Sequence, residues 1–320
     1  MDLPLSKLVE EDLVRVESLL GEHPPDQHEA VNSAVDHLMA GGGKRLRPTL
    51  VLLSAHLCGA DITRAVFAAA ASEMLHTATL VHDDLIDGSL IRRGVETLNV
   101  NWTPAATILT GDYLFARAAH LVTLTGNIRL VQRFAETLIV ICKGEILQMF
   151  EGEPTRTGIE QYERRIRAKT ARLIALSAEA GPILADAHDE WEKALRLYGE
   201  EVGIAFQIVD DVLDFVGNEE TLGKPVGSDL RQGLITLPVL LFLESETDQR
   251  VVRQVLNGDR TERKVHVAVQ AVAGSEAIDR SLAVARRHSE NAVAALSIFP
   301  DTPYHAALLR LAHFAVDRRF

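Results

Sequence analysis

Residues 62–87 read ITRAVFAAAASEMLHTATLVHDDLID. The stretch holds no Gly or Pro, is rich in Ala, Leu and Val, and shows no strict polar–apolar alternation, so it specifies a helix and not a strand. It is apolar around much of its circumference, as a central member of a helical bundle would be. Three aspartates, Asp83, Asp84 and Asp87, close it while the helical pattern still runs. Residues 188–216, HDEWEKALRLYGEEVGIAFQIVDDVLDFV, repeat the arrangement and end in Asp210, Asp211 and Asp214.

The same texture extends along the chain. Apolar spacings of three and four predict helices near 5–20, 26–40, 45–59, 62–87, 104–124, 127–151, 158–185, 188–216, 231–245, 247–257, 261–273, 276–298 and 302–318. Thr157 with Glu160 reads as a capping box, and Thr302-Pro303 as an N-cap followed by a first-turn proline. Gly41-Gly42-Gly43, Gly152-Glu153-Pro154 and Gly217 to Gly227 read as loops. No run of alternating Val, Ile and Thr with hairpin turns is present, and no Ser/Gly/Pro-rich linker divides the sequence. The expectation is an all-α fold, a single-domain helical bundle covering residues 1–320.

Bulk properties narrow the function. A chain of 320 residues with 47% hydrophobic content can bury a sizeable core. A net charge of −12 without a long basic run argues against a nucleic-acid partner. An acidic chain that binds a polyanion needs a local basic pocket or bound cations. Cys58 and Cys142 lie far apart and outside any CxxC pattern, so both are expected as core thiols in a reducing compartment. The first residues lack an apolar signal core, and runs such as Leu237 to Leu243 fall short of the roughly 20 residues that span a bilayer. A cytoplasmic location without stable membrane insertion follows as an expectation.

The aspartates carry the chemistry. Residues four apart on a helix stack one turn above each other, about 5–6 Å between Cβ atoms, so Asp83 pairs with Asp87 and Asp210 with Asp214. His76 shares the first stripe; Gln207 and Gly203 share the second. Flanked by Leu80, Val81, Leu85 and Ile86, and by Ile208, Val209, Val212 and Leu213, six carboxylates at apolar depth would repel one another unless cations or shifted pKa values relieved them. An all-oxygen set suits Mg²⁺.

Basic residues alternate with these acids. Gly41-Gly42-Gly43-Lys44-Arg45-Leu46-Arg47-Pro48 opens a helix with three cations, a natural anion pocket. Arg92-Arg93-Gly94 follows the first triad, Lys169-Thr170 interrupts an apolar helix, and Lys224 lies in a loop after the second triad. Paired acidic faces, Mg²⁺ and a ring of Lys and Arg describe a site for a diphosphate leaving group. No Ser/His/Asp elbow, activated Cys or Walker-type GxxxxGK[ST] is present, which leaves C–O ionisation in a water-poor apolar cavity.

These residues resemble the trans-prenyl diphosphate synthase (polyprenyl synthetase) family, with motifs like those of bacterial medium- and long-chain heptaprenyl- and octaprenyl-type enzymes. The matching stretches are GGGKRLRP at 41–48, HTATLVHDDLIDGSLIRRG at 76–94, GDYLFARA at 111–118, GEILQM at 144–149, KTARL at 169–173, FQIVDDVLD at 206–214 and GKPVGSDL at 223–230. The resemblance implies an all-α isoprenoid synthase fold around a central elongation cavity, usually a homodimer. It implies that Asp83 and Asp87 hold two Mg²⁺ ions and Asp210, with Asp214 nearby, a third, supported by Asp84 and Asp211. Lys44, Arg47, His76 and Arg93 would bind isopentenyl diphosphate. Arg92, Lys169, Thr170, Gln207 and Lys224 would hold the allylic prenyl diphosphate, with Lys169, Thr170 and Gln207 also facing the nascent cation. Ionisation, attack by the isopentenyl double bond and proton loss to the released diphosphate would follow. One position departs from the family pattern: after GSDLRQG a Lys is usual, and here it is Leu234.

Product length in this family is set below the first triad. The positions five and four before Asp83 are Ala78 and Thr79, both small. Thr79 lies about 40° from Asp83 around the helix axis; that Ala78 also faces the cavity comes from the resemblance alone. Two small residues predict products longer than farnesyl, in the C30–C50 range, with Phe134 as a deeper floor. A shorter farnesyl or geranylgeranyl synthase and a non-catalytic partner subunit of a heteromeric synthase are the alternatives. A terpene cyclase would need neither the second Asp triad nor the Lys44/Arg47 loop.

Overall fold

Long stretches of good helix formers become long helices in the computed structural model, which describes residues 6–25, 28–92, 94–150, 158–217 and 226–317. After a 3₁₀ turn at Ser6–Val9 come α1 (Glu10–Leu20), α2 (Glu29–Ala40), α3 (Leu46–Cys58) and α4 (Ile62–Ile86). A two-residue antiparallel pair, β1 (Ile91–Arg92) with β2 (Val95–Glu96), precedes α5 (Leu98–Asn101), α6 (Pro104–Leu124) and α7 (Ile128–Phe150). Then follow α8 (Ile159–Ile166), a π-helical turn (Arg167–Ala171), α9 (Arg172–Leu184) and α10 (Asp189–Val216). The chain continues as α11 (Ser228–Gln232), α12 (Leu237–Ser245), α13 (Arg250–Leu256), α14 (Glu262–Ala273), α15 (Ala277–Ala295), a 3₁₀ turn (Leu296–Ile298) and α16 (Pro303–Asp317). The fold is all-α. No described helix is long and apolar enough to cross a membrane.

The contacts divide into two compact units. The first comprises Met1–Thr137, Leu173–Arg196 and Leu296–Arg310. Here α4 packs chiefly on α6 and α3. Its run Ala68–Ala71 is buried, and so short a side chain lets α3 approach closely. Leu50, Leu52 and Leu53 of α3 are fully buried, each contributing roughly 1.5–3 kcal/mol. Asp61 caps α4 by accepting the Thr63 amide at 2.8 Å. The second unit comprises Leu138–Arg172, Leu197–Ala295 and Leu311–Phe320. Its core gathers Tyr162, Ile204, Ile208, Val239, Val255 and Val265.

Several expectations need correction. The helix expected over 231–245 is two helices, because Gly233 takes φ 83° and Thr236 and Pro238 start a new one. The helix expected over 158–185 contains the π-helical turn. The β pair was not anticipated; two-residue strands carry no periodic signal. Thr302 does cap α16, accepting the His305 amide at 3.1 Å. Thr157 lies outside the described residues, and Gly158 holds the N-cap position of α8. Cys58 is half-buried, and burial pushes its thiol up to about 12. Cys142 is exposed and no core thiol. The buried stripe of α7 is Leu130, Phe134, Thr137 and Ile141, and Cys142 follows Ile141 by one position, about 100° around the axis.

Candidate active site

The first aspartate cluster ends α4, in the first unit. The six aspartates are not all at apolar depth: in this cluster Asp84 is buried at 7% exposure, Asp83 is half-buried, and Asp87 is exposed as the C-cap residue. The hairpin turns at Gly94 (φ 78°) and returns Arg92, whose Nε donates to Asp84 Oδ1 at 2.7 Å. Burial pushes the Asp84 carboxyl up, Arg92 works against that, and the charges of Asp83 and Asp87 add to the rise. His76, two turns earlier on α4, is half-buried, and its carbonyl accepts the Thr79 hydroxyl at 2.7 Å. In the 41–48 turn, Lys44 is exposed and Arg47 half-buried. Arg45, one of the three cations expected in the anion pocket of this turn, pairs instead with Glu17 and Glu73.

The second cluster is on α10, in the second unit. Asp210 is half-buried, whereas Asp211 and Asp214 are 4% and 1% exposed. Burial pushes Asp211 up to about 7, Asp229 and Asp210 adding to the rise. Tyr162 donates its hydroxyl to Asp211 Oδ2 at 2.7 Å, and Gln207 Nε2 donates to Oδ1 at 2.8 Å. Thr170 in turn donates to Gln207 Oε1 at 2.7 Å. The polar chain Thr170–Gln207–Asp211–Tyr162 therefore fixes which way the Gln207 amide faces. Gln207 thus meets Asp211, four residues on, and not Asp210. Asp214 Oδ2 accepts the Asp229 amide at 3.0 Å, anchoring the segment that starts α11.

Lys169 and Thr170 are presented by the π-helical turn, and Lys169 Nζ lies 3.0 Å from Glu145 of α7. Two glycines admit that turn. A Cβ on Gly203 of α10 would fall 2.6 Å from the Ala171 Cα, and one on Gly144 of α7 would fall 2.9 Å from the Ala168 Cβ. Leu234 is half-buried, with its amide bonded to the Asp229 carbonyl at 2.9 Å. Ala78 is fully buried. Phe134 is 5% exposed and lines a cavity of about 10 Å³ in the first unit with Val51, Ala68, Ser72, Leu130 and Ser177. Arg93 and Lys224 lie outside the described residues.

Sequence reasoning missed Tyr162, Glu145, Asp229 and the Arg45–Glu17–Glu73 group. Only the spacing of Gln207 and Asp211, four apart on a helix, could have announced its contact. Among the described residues no three His, Cys, Asp or Glu side chains converge as a complete protein-only metal site. Mg²⁺ takes one or two protein carboxylates and fills its octahedron with water and phosphate oxygens. The donors are all hard oxygens, and buried Asp84 and Asp211, both pushed up, are the groups a cation would relieve.

An all-helical fold carries two carboxylate clusters, and similarity to known proteins assigns that fold to a family. Residues 28–272 match the polyprenyl synthetase family, and the chain belongs to it. It is 39% identical to heptaprenyl diphosphate synthase component 2 of Geobacillus stearothermophilus over 97% of both chains. It is 35% identical to octaprenyl diphosphate synthase of Escherichia coli strain K12 over 98% of both. A polyprenyl synthase from Caulobacter crescentus CB15, solved with calcium and isoprenyl diphosphate, superposes with a TM-score of 0.93 at 39% identity, covering 99% of this chain and 97% of that one. The protein is a prenyltransferase of the trans-polyprenyl diphosphate synthase type, and the two relatives above are named for heptaprenyl and octaprenyl diphosphate.

Proposed function

We propose that the protein condenses isopentenyl diphosphate head-to-tail with geranyl or farnesyl diphosphate, in an Mg²⁺-dependent reaction, to a trans polyprenyl diphosphate in the C30–C50 range. The observation that carries this reading is the polar chain that fixes Gln207 and Thr170 beside Asp211, next to Lys169 on the π-helical turn. Asp83 and Asp87 would hold Mg²⁺, and so would Asp210 with Asp214. The bound ions would neutralise the charge of the departing diphosphate. Lys169, Lys224 and Arg92 would orient the allylic diphosphate, while Thr170 and Gln207 turn oxygens toward the forming allylic cation. Lys44, Arg47, His76 and Arg93 would orient isopentenyl diphosphate. Apolar walls around the site would keep water from the cation.

The family match runs across both compact units, which supports treating residues 1–320 as one functional domain. Exposed Ile108 and Leu109 of α6 and Ile128 of α7 offer apolar surface to a second copy, in keeping with a homodimer. Small Ala78 and Thr79 would leave room for a growing chain below the first cluster, and buried Phe134 would be its floor. Phe134→Ala is then expected to lengthen the product; an unchanged distribution removes Phe134 from that role.

The test is a product assay: purified protein, Mg²⁺, isopentenyl diphosphate and, in turn, dimethylallyl, geranyl and farnesyl diphosphate, with products sized by mass spectrometry. A ladder ending at one length within C30–C50 supports the reading, and a stop at C15 or C20 assigns a short-chain enzyme. A second reading has its own observation: the Geobacillus relative is named as component 2. Folded protein that elongates no primer until a partner subunit is added would assign the chain as one component of a heteromeric synthase.

A further inference from the structure

Arg45 stands immediately before α3 with φ 45°, and only Asp186 joins it among the described non-glycine residues at positive φ. That backbone is disfavoured for any residue with a Cβ, and no side-chain cap bond is made there. The guanidinium supplies the restraint. Its Nε meets Glu17 Oε1 at 2.5 Å, Nη2 meets Glu17 Oε2 at 3.0 Å, and Nη1 meets Glu73 Oε1 at 3.2 Å. This is a bidentate fork to α1 plus a third bond to a carboxylate on α4 that is only 4% exposed. The Arg45 carbonyl closes the first turn of α3, accepting the Thr49 amide at 3.0 Å and hydroxyl at 2.8 Å.

The clamp sits among three groups assigned above to isopentenyl diphosphate. Lys44 precedes Arg45 by one residue and Arg47 follows by two. Glu73 precedes His76 by three residues on α4, so the two are helical neighbours. One buried carboxylate thereby ties the 41–48 turn to the helix that carries His76.

We propose that Arg45 is a positioning residue for isopentenyl diphosphate: its clamp to Glu17 and Glu73 sets Lys44 and Arg47 in register with His76. The proposal rests on the reading that Lys44, Arg47 and His76 bind that substrate. Arg45 acts through them and does not touch the diphosphate.

Arg45→Ala alone leaves Glu73 as a buried, uncompensated charge and threatens the fold. The informative variant is therefore Arg45→Ala with Glu73→Gln, its folding checked by circular-dichroism melting. With each substrate varied in turn, KM for isopentenyl diphosphate is expected to rise about 10-fold, while KM for the allylic substrate and kcat stay within about twofold. Glu73→Gln alone keeps the Arg45 charge but loosens the clamp, and is expected to raise the same KM. A direct contact between Arg45 and diphosphate would leave it unchanged, which would overturn the proposal. A folded double variant with an unaltered isopentenyl KM, or an equal rise in both KM values, overturns it too. Lys44→Ala separates the two levels. If Lys44→Ala raises the isopentenyl KM and the Arg45 variant does not, only the positioning proposal falls. If Lys44→Ala has no effect, the substrate assignment of the turn falls first.

Discussion

The two Asp-Asp-x-x-Asp clusters share a motif and a helical setting but not an environment. The first ends its helix: Asp87 is exposed at the C-cap, and buried Asp84 answers to Arg92. The second lies within α10, with Asp211 and Asp214 buried and tied to Tyr162, Gln207 and the Asp229 amide. One motif thus occupies two settings: the first cluster stands open at a helix end, and the second is partly locked into a polar network that fixes Asp211 and Asp214.

The largest effects should come from the outward aspartates. Asp83→Asn and Asp210→Asn are each expected to lower kcat by about 10²–10³-fold in steady-state assays with Mg²⁺. If either variant kept near-normal kcat, the two clusters would not share the chemistry.

Next in size is Gly203→Ala. The new Cβ meets the Ala171 backbone at 2.6 Å, and backbone cannot move aside as a flexible side chain could. Displacing the π-helical turn misplaces Lys169 and Thr170, so kcat should fall about 10–100-fold while far-ultraviolet circular dichroism stays helical. A fully active Gly203→Ala would show that the turn does not set those residues.

Asp211→Asn sharpens the comparison through pH. The Asp211 carboxyl, pushed up to about 7, lies above the roughly 3.9 of an unfolded Asp. Below about pH 4 it is protonated in both states and costs nothing. As pH rises to about 7 the unfolded chain loses this proton first, and the metal-free protein loses stability. Asn removes that loss, so thermal melts with EDTA should show Asp211→Asn gaining several degrees at pH 8 and little at pH 4. Asp84→Asn should gain less at pH 8, because Arg92 loses its carboxylate. Equal gains at both pH values would contradict the account of Asp211.

The smallest effect concerns the one departure from the family pattern. Leu234→Lys adds the cation that the family pattern leads one to expect at this position, and KM for the allylic substrate should fall about 3- to 10-fold. No change, or a rise, removes Leu234 from any role in tuning.

How much of this the sequence showed depends on how local the cause was. Helices were legible because 3.6-residue periodicity is written in adjacent residues, and both aspartate clusters were legible because each lies within five positions. The π-helical turn was not, since Arg167–Ala171 has the composition of an ordinary helix and only its packing against Gly144 and Gly203 shows why it widens. Tyr162 and Asp211 are 49 residues apart, and no local pattern joins them. The exposure of Asp87 was missed because the helix ends there, and with it the apolar flank that seemed to bury all six carboxylates.

The most direct test of the central claim, that both clusters serve one metal-dependent condensation, is elongation of farnesyl diphosphate by radiolabelled isopentenyl diphosphate, with Mg²⁺ present or removed by EDTA. Chain growth is expected in the wild type with Mg²⁺, none after EDTA, recovery when Mg²⁺ is restored, and at most a trace in Asp83→Asn/Asp210→Asn. Growth that persists in EDTA, or in that double variant, would contradict the claim.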